Sequence, residues 1–181
     1  RELHYITNMT DNGNLFSRWA CLMNETLETG KPVLYRLSER GEPDDVELVK
    51  LVLEKGAMQY TQTFKGKTPL YVASQNNHID IVKLLIDAGA DVNKATTTPW
   101  FGTDEVVPRW SWREEDVAPG ATPLYIASEK GFADVVRMLI DAGADLNKAT
   151  TDYIETPLLM ASFKGWSPVV RMLIDAGADL N

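Results

Sequence analysis

The chain has 181 residues, 44% of them apolar and 24% charged, the proportions of an ordinary globular protein with one substantial core. A formal net charge of −8 argues against nucleic acid as a partner, because phosphate-backbone binding relies on lysine and arginine to displace counterions. One cysteine forms no internal disulfide, and with only two histidines it builds no zinc site. No apolar run approaches the roughly 18 residues of a membrane span. The expectation is a reducing, cytosolic setting, with no cofactor, no metal and no membrane partner.

In chain order, residues 1–30 contain "NLFSRWACLMNETLETG", which places Leu15, Trp19, Leu22 and Met23 on one face of an expected helix ending near Gly30. This helix is expected to cover the open flank of the first repeated unit. Cys21 lies on it with no histidine nearby in sequence and reads as inert packing. The N-x-T matches at Asn8 and Asn24 read as chance, and His4 lies near a chain end.

Next comes "VLYRLSERGEPDDVELVKLVLEKGA", a diverged copy of a unit that returns three times. The clear copies are "TPLYVASQNNHIDIVKLLIDAGADVNKAT" from Thr68, "TPLYIASEKGFADVVRMLIDAGADLNKAT" from Thr122 and "TPLLMASFKGWSPVVRMLIDAGADLN" from Thr156. Their closing glycines, with Gly56 of the first copy, are spaced 33, 54 and 34 residues apart, so one interval carries 21 residues beyond the basic period. The diverged copy has about three extra residues near Pro43.

Each copy reads as a helix, a turn, a second helix and an extended exit. Thr68, Thr122 and Thr156 are suited to cap a helix, and the proline after each has no N–H to lose at the first helical position. Ala73–Ser74, Ala127–Ser128 and Ala161–Ser162 leave room for a neighbouring helix, and Asn77, Gly131 and Gly165 sit where a left-handed turn ends the helix. In the second helix one face gathers Ile81, Leu84 and Leu85, then Val135, Met138 and Leu139, then Val169, Met172 and Leu173. Gly89, Gly143 and Gly177 stop it. Two helices of about ten residues are marginal alone, and only stacking buries both apolar flanks of the pair.

The T-P-L…A-S…G…V-V-x-L-L-I-x-A-G-A-D-x-N pattern closely resembles the ankyrin repeat over roughly residues 31–181. It departs where that family usually has histidine after T-P-L, with Tyr71, Tyr125 and Leu159 instead. The resemblance implies an all-α solenoid with short hairpin-like loops. Its expected parts are a capping region 1–30, repeats 31–63, 64–95, 118–151 and 152–181, and an inserted loop 96–117. It also implies a protein or peptide partner, met at the exposed end of each first helix and at the hairpin tips. Those positions are Gln75, Asn76, Glu129, Lys130, Phe163, Lys164, Phe64 and Tyr153.

The inserted "TTTPWFGTDEVVPRWSWREEDVAPG" joins one copy's exit to the next copy's entry and holds three of the five tryptophans. Two readings stand. Trp100, Phe101, Trp110 and Trp112 fold back onto the scaffold, as the cost of exposing large apolar rings favours. Alternatively some remain available with Arg109 and Arg113, since tryptophan and arginine are enriched at binding hot spots.

Signals of chemistry read as structure. "GKT" at Gly66–Thr68 lacks the earlier glycine of a phosphate loop, where Thr61 stands, and reads as a turn into a helix cap. The recurring "DAGAD" carboxylates, such as Asp87 and Asp91, read as turn formers because each copy needs them. His78 reads as structural. With no acid, base, nucleophile or metal set converging, the expected function is non-catalytic protein binding. The alternative is a targeting segment of a larger enzyme, such as a kinase or ubiquitin-ligase subunit. Arg1 at the start, and Asn181 directly after "GADL" with no polar capping unit, fit a piece of a longer protein or a last helix that caps itself.

Overall fold

The computed structural model describes Leu22, Glu28 and residues 30–54, 66–97, 118–151 and 153–180. The described residues form eight bounded helices: α1 (Val33–Arg40), α2 (Pro43–Glu54), α3 (Pro69–Gln75), α4 (Ile79–Asp87), α5 (Pro123–Lys130), α6 (Ala133–Asp141), α7 (Pro157–Lys164) and α8 (Ser167–Asp175). They pair as α1 with α2, α3 with α4, α5 with α6 and α7 with α8. The first helices of successive units pack in series, as do the second helices, so the fold is two helical layers built one unit at a time.

Local chemistry sets each helix boundary. Thr68, Thr122 and Thr156 accept the N–H of Tyr71, Tyr125 and Leu159 at 3.1, 3.1 and 3.2 Å, which satisfies one orphan donor per helix. The "GKT" stretch is therefore a helix entry. The first unit lacks such a threonine and has Pro32 at the cap, with no side-chain bond. Asn77, Gly131 and Gly165 adopt φ of 60°, 78° and 77°, the left-handed turn that closes each first helix. The three residues added near Pro43 become an extra first turn, so α2 has 12 residues where α4, α6 and α8 have 9. Asp45, wholly buried in that turn, accepts the Glu42 N–H at 3.2 Å and faces Arg40 Nε at 3.6 Å.

One apolar cluster runs the length of the stack, from Leu22 of the N-terminal region through Leu37, Leu48, Leu85, Leu124 and Leu139 to Leu173 and Ala178. Leu22 is helical and fully buried in that cluster. The second-helix faces are wider than the sequence pattern suggests. Leu84, Met138 and Met172 are only partly buried, whereas Val82 and Val136 are completely buried because the second helix of the following unit packs beside each. Val170 holds the same position in the fourth unit and is half-buried.

The long interval does not interrupt the layers, since α3 packs directly on α5. Thr96 is the clasp. Its N–H donates to Ala121 O at 2.9 Å, its carbonyl accepts from Gly120 N at 2.9 Å, and its hydroxyl donates to Ala118 O at 2.7 Å while accepting from Ala121 N at 3.0 Å. At the next seam, which carries no added length, Thr150 makes comparable bonds to Glu155: N–H to carbonyl at 3.0 Å and N–H to hydroxyl at 3.1 Å. The added residues thus enter and leave at neighbouring points.

Close approach of the first helices rests on the small pairs. Ala127 and Ser128 are both fully buried, and the Ser128 hydroxyl has no hydrogen-bond partner. Ala127→Leu is expected to lower stability by about 1–3 kcal/mol through overpacking. Ser128→Ala is expected to change it by less than about 0.5 kcal/mol, because an unpaired buried hydroxyl contributes no bond to lose. Urea midpoints of the two variants check both values.

Candidate functional site

The third residue of α1, α3 and α5 is a tyrosine, and Tyr35, Tyr71 and Tyr125 are all buried in a second, smaller apolar cluster with Val72, Ile126 and Met160. Burial first, and the Glu39 carboxylate second, push the Tyr35 phenol up to about 12. Tyr71 is raised further, chiefly by burial and then by Glu129, Tyr125 and Tyr35. The Tyr125 hydroxyl donates to Glu155 Oε2 at 2.7 Å, a bond that crosses the seam between the third and fourth units. A phenol thus makes an inter-unit bond where the ankyrin pattern usually has histidine. Leu159, at the same position in α7, is half-exposed.

One turn further along, the first helices present their C-terminal ends as a row: Glu39 and Arg40, Gln75 and Asn76, Glu129 and Lys130, Phe163 and Lys164. Serial packing of α3, α5 and α7 brings six of the expected contact residues, Gln75, Asn76, Glu129, Lys130, Phe163 and Lys164, into this one edge. Their exposure differs. Gln75 and Glu129 are half-buried, while Asn76, Lys130, Phe163 and Lys164 are exposed. Asn76 is partly committed, since its side-chain amide donates to Glu39 O at 3.1 Å. Phe163 is 80% exposed, with Lys164 Nζ 6.0 Å from its ring centroid.

Tyr153, on the loop that enters α7, is 46% exposed. Beside it Ile154 is 75% exposed with φ of 54°, a left-handed conformation that is a genuine outlier for a β-branched residue. Sequence reasoning missed Ile154. Its signal was a lone aliphatic residue among the polar groups of "TDYIET". Phe64 lies outside the described residues, as do Trp100, Phe101, Arg109, Trp110, Trp112 and Arg113 of the insertion.

The remaining candidates serve the scaffold. Asp91 and Asp145 accept the N–H of Asn93 and Asn147 at 2.9 and 3.0 Å, each closing a turn. Asn93 and Asn147 then accept the N–H of Asp145 and Asp179, in the next unit, at 2.7 and 2.9 Å. His78 Nε2 lies 3.3 Å from Glu39 O, an acceptor only, so that nitrogen carries the proton. Among the described residues no group of His, Cys, Asp and Glu could hold a metal ion. None of their helices is long and apolar enough to cross a membrane.

The sequence matches the family description "Ankyrin repeats (3 copies)" over residues 3–96 and 101–181, nearly its whole length. The chain belongs to the ankyrin-repeat family. Ankyrin repeats are generally protein–protein interaction modules. Among relatives, the chain is 31% identical over 87 residues to protein phosphatase 1 regulatory subunit 27 of Mus musculus, covering 48% of this chain and 43% of that protein. It is 31% identical, again over 87 residues, to ankyrin repeat and SOCS box protein 5 of Bos taurus, covering 48% of this chain and 20% of the relative. A B-cell lymphoma 3 protein homolog of Mus musculus is 31% identical over 100 residues, 55% of this chain and 18% of the relative. The match therefore spans less than half the length of each of these proteins.

The buried phenols of this ankyrin stack tie stability to alkaline pH. A folded-state value above the ordinary phenol value near 10 means that the folded chain binds more protons, so stability is complete below about pH 10 and falls as pH rises toward 12. Tyr71→Phe is expected to shift the alkaline unfolding midpoint upward. Tyrosinate absorbance followed alongside circular dichroism checks it.

Proposed function

We propose that this ankyrin stack is a non-catalytic module that binds a protein or peptide partner along the C-terminal edge of its first helices, with the tryptophan-rich insertion as a second contact. The observation that carries this reading is the edge itself. It mixes both signs of charge and amides with a phenyl ring, Phe163, that is 80% exposed. Soluble surfaces seldom leave so large a ring uncovered without a partner, and aromatic anchors ringed by polar groups are the usual composition of a binding hot spot. Tyr153 and the strained Ile154 are further exposed apolar side chains, on the loop before α7. Backbone strain of this kind concentrates at functional sites.

The insertion is proposed to add to this surface. Thr96 and Ala118, which bracket it, sit at the seam between the units of α3 and α5 that contribute Gln75, Asn76, Glu129 and Lys130 to the edge. Trp100, Phe101, Arg109, Trp110, Trp112 and Arg113 are the side chains proposed to contact the partner there, and Phe64 is proposed for the seam before α3.

A second reading, that the stack is the targeting part of a larger enzyme assembly, is favoured by relatives whose names are a phosphatase regulatory subunit and a SOCS box protein. The full gene distinguishes the two. A catalytic or docking domain in the same reading frame supports the second, and its absence leaves the first.

Peptides selected on the whole chain from a random display library test the surface. Phe163→Ser and the pair Trp110→Ala, Trp112→Ala are each expected to weaken selected ligands by about tenfold or more, as loss of a hot-spot ring does. Lys50→Ala, on the exposed side of α2, serves as the neutral control. Ligands that bind all variants equally would place recognition elsewhere and sink this reading.

A further inference from the structure

Two first helices carry the same pair of side chains in the same places. Tyr35 and Tyr125 are each the third residue of their helix, 4% and 2% exposed, and a glutamate follows four residues later, Glu39 in α1 and Glu129 in α5. That spacing sets the carboxylate on the same helix face as the ring. Both helices have eight residues and end at a left-handed glycine, Gly41 and Gly131 with φ 63° and 78°. The backbones that hold the two pairs therefore match.

In the first unit the pair holds a cation. Lys31 Nζ donates to Glu39 Oε1 at 2.8 Å and to Oε2 at 2.7 Å, and the same nitrogen lies 5.8 Å from the Tyr35 ring centroid. A carboxylate and a ring face together make a seat for one ammonium. Lys31 reaches it from the position just before the helix cap, Pro32. In the third unit that position, just before the cap Thr122, is Ala121, whose methyl group brings no charge to the pair. Among the described residues the Glu129 carboxylate takes part in no ion pair or hydrogen bond. The second unit has Gln75 for the glutamate, and the fourth has Leu159 and Phe163 for the pair, so the unpaired seat occurs once among the described units.

A second observation points to the same place. Tyr71, 2% exposed on the neighbouring α3, keeps its phenol proton through burial first and the Glu129 carboxylate next. That influence crosses the seam from α5, so the Tyr71 hydroxyl and the Glu129 carboxylate share one neighbourhood. Among the described residues this hydroxyl meets no hydrogen-bond partner. A buried hydroxyl left so is uncommon, because the missing bond is costly. On the other side of the Tyr125 ring, the phenol donates to Glu155 Oε2 at 2.7 Å, which adds a second carboxylate nearby.

We infer that Glu129, the Tyr125 ring and the Tyr71 hydroxyl form a seat for the side-chain ammonium of a lysine on the bound partner, held as Lys31 is held in the first unit. The inference rests on the edge reading above, to which Glu129 belongs, and gives the partner a chemistry: a basic side chain presented at the seam between α3 and α5. Charge complementarity favours it, since the chain carries a net charge of −8 and the half-buried Glu129 has no cation of its own among the described residues.

The seat is tested first within the chain. Ala121→Lys puts a lysine where Lys31 stands in the first unit, and Glu129→Gln is then expected to lower Tm by about 2–4 °C more than it does without that lysine. Asp134→Asn, an equal loss of charge on the exposed side of α6, is expected to show no such coupling. Peptides selected on the whole chain from a random display library supply the second arm, which decides alone if Ala121→Lys does not fold. They are expected to carry a lysine whose change to norleucine, or acetylation of its ε-nitrogen, weakens binding about tenfold. Glu129→Gln is expected to weaken the lysine peptide by the same factor and to leave the norleucine peptide unchanged. Tyr71→Phe is expected to act in the same direction by a smaller factor.

The proposal is overturned if Glu129→Gln weakens the lysine and norleucine peptides equally, or if a folded Ala121→Lys shows no coupling to Glu129. It is also overturned if Arg109→Gln with Arg113→Gln strengthens the lysine peptide, since the chain's own guanidinium then holds the seat. Peptides that depend on Phe163 and on no lysine sink the seat and leave the edge reading standing. Peptides that ignore Phe163→Ser yet keep the coupling to Glu129 count against the edge and leave the seat.

Discussion

Each unit of this protein has apolar surface on two flanks and can bury neither alone. A helix pair of eight and nine residues, such as α5 with α6, lies below the length at which isolated helices persist in water. Stability therefore resides in the seams. The alanine and serine pairs bring first helices close, the valines at positions such as Val82 and Val136 seal the second layer, and the asparagines of the D-x-N turns tie each exit to the next. Every one of these interactions needs a neighbour. Unfolding energy in such an array is close to a sum over units and interfaces, and the end units are the least supported.

That dependence explains which features were legible in the sequence. Anything each copy must supply for itself recurs at the 33-residue period: the capping threonines, the proline after them, the left-handed residue of the turn, the stop glycine. All of these stand where the repeat places them in the three clear copies, whereas the first unit has Pro32 at the cap. Features that depend on a neighbour were harder to see. The helical-face pattern picked out Leu84 and Met138, yet Val82 and Val136 are more deeply buried, because the face that matters is set by the following helix as well as by the pair's own core. The diverged first copy hid a different device, a buried Asp45 that fastens the start of α2 where the other units have no comparable carboxylate.

The candidate site was legible in part for the same reason. Row positions such as Gln75, Glu129 and Phe163 follow from the repeat once the first helix is located. Their unequal exposure does not, and neither does the left-handed backbone of Ile154, which no periodic pattern encodes. The tyrosine substitutions illustrate how a position can keep its role while changing its chemistry. Where imidazole is usual, Tyr125 reaches across to Glu155, so the seam keeps a polar tie, and Tyr35 and Tyr71 make the core sensitive to strong alkali.

The Thr96 clasp separates two properties that are coupled in most folds, the length of a connection and the position of what it connects. Closing a longer loop costs little, roughly 0.6 kcal/mol for each doubling of its length. With both ends of the added segment fixed by four hydrogen bonds to one threonine, the units on either side stay in register whatever lies between them. The seam is thus a permissive joint, a place where sequence can be exchanged, lengthened or deleted without renegotiating the scaffold.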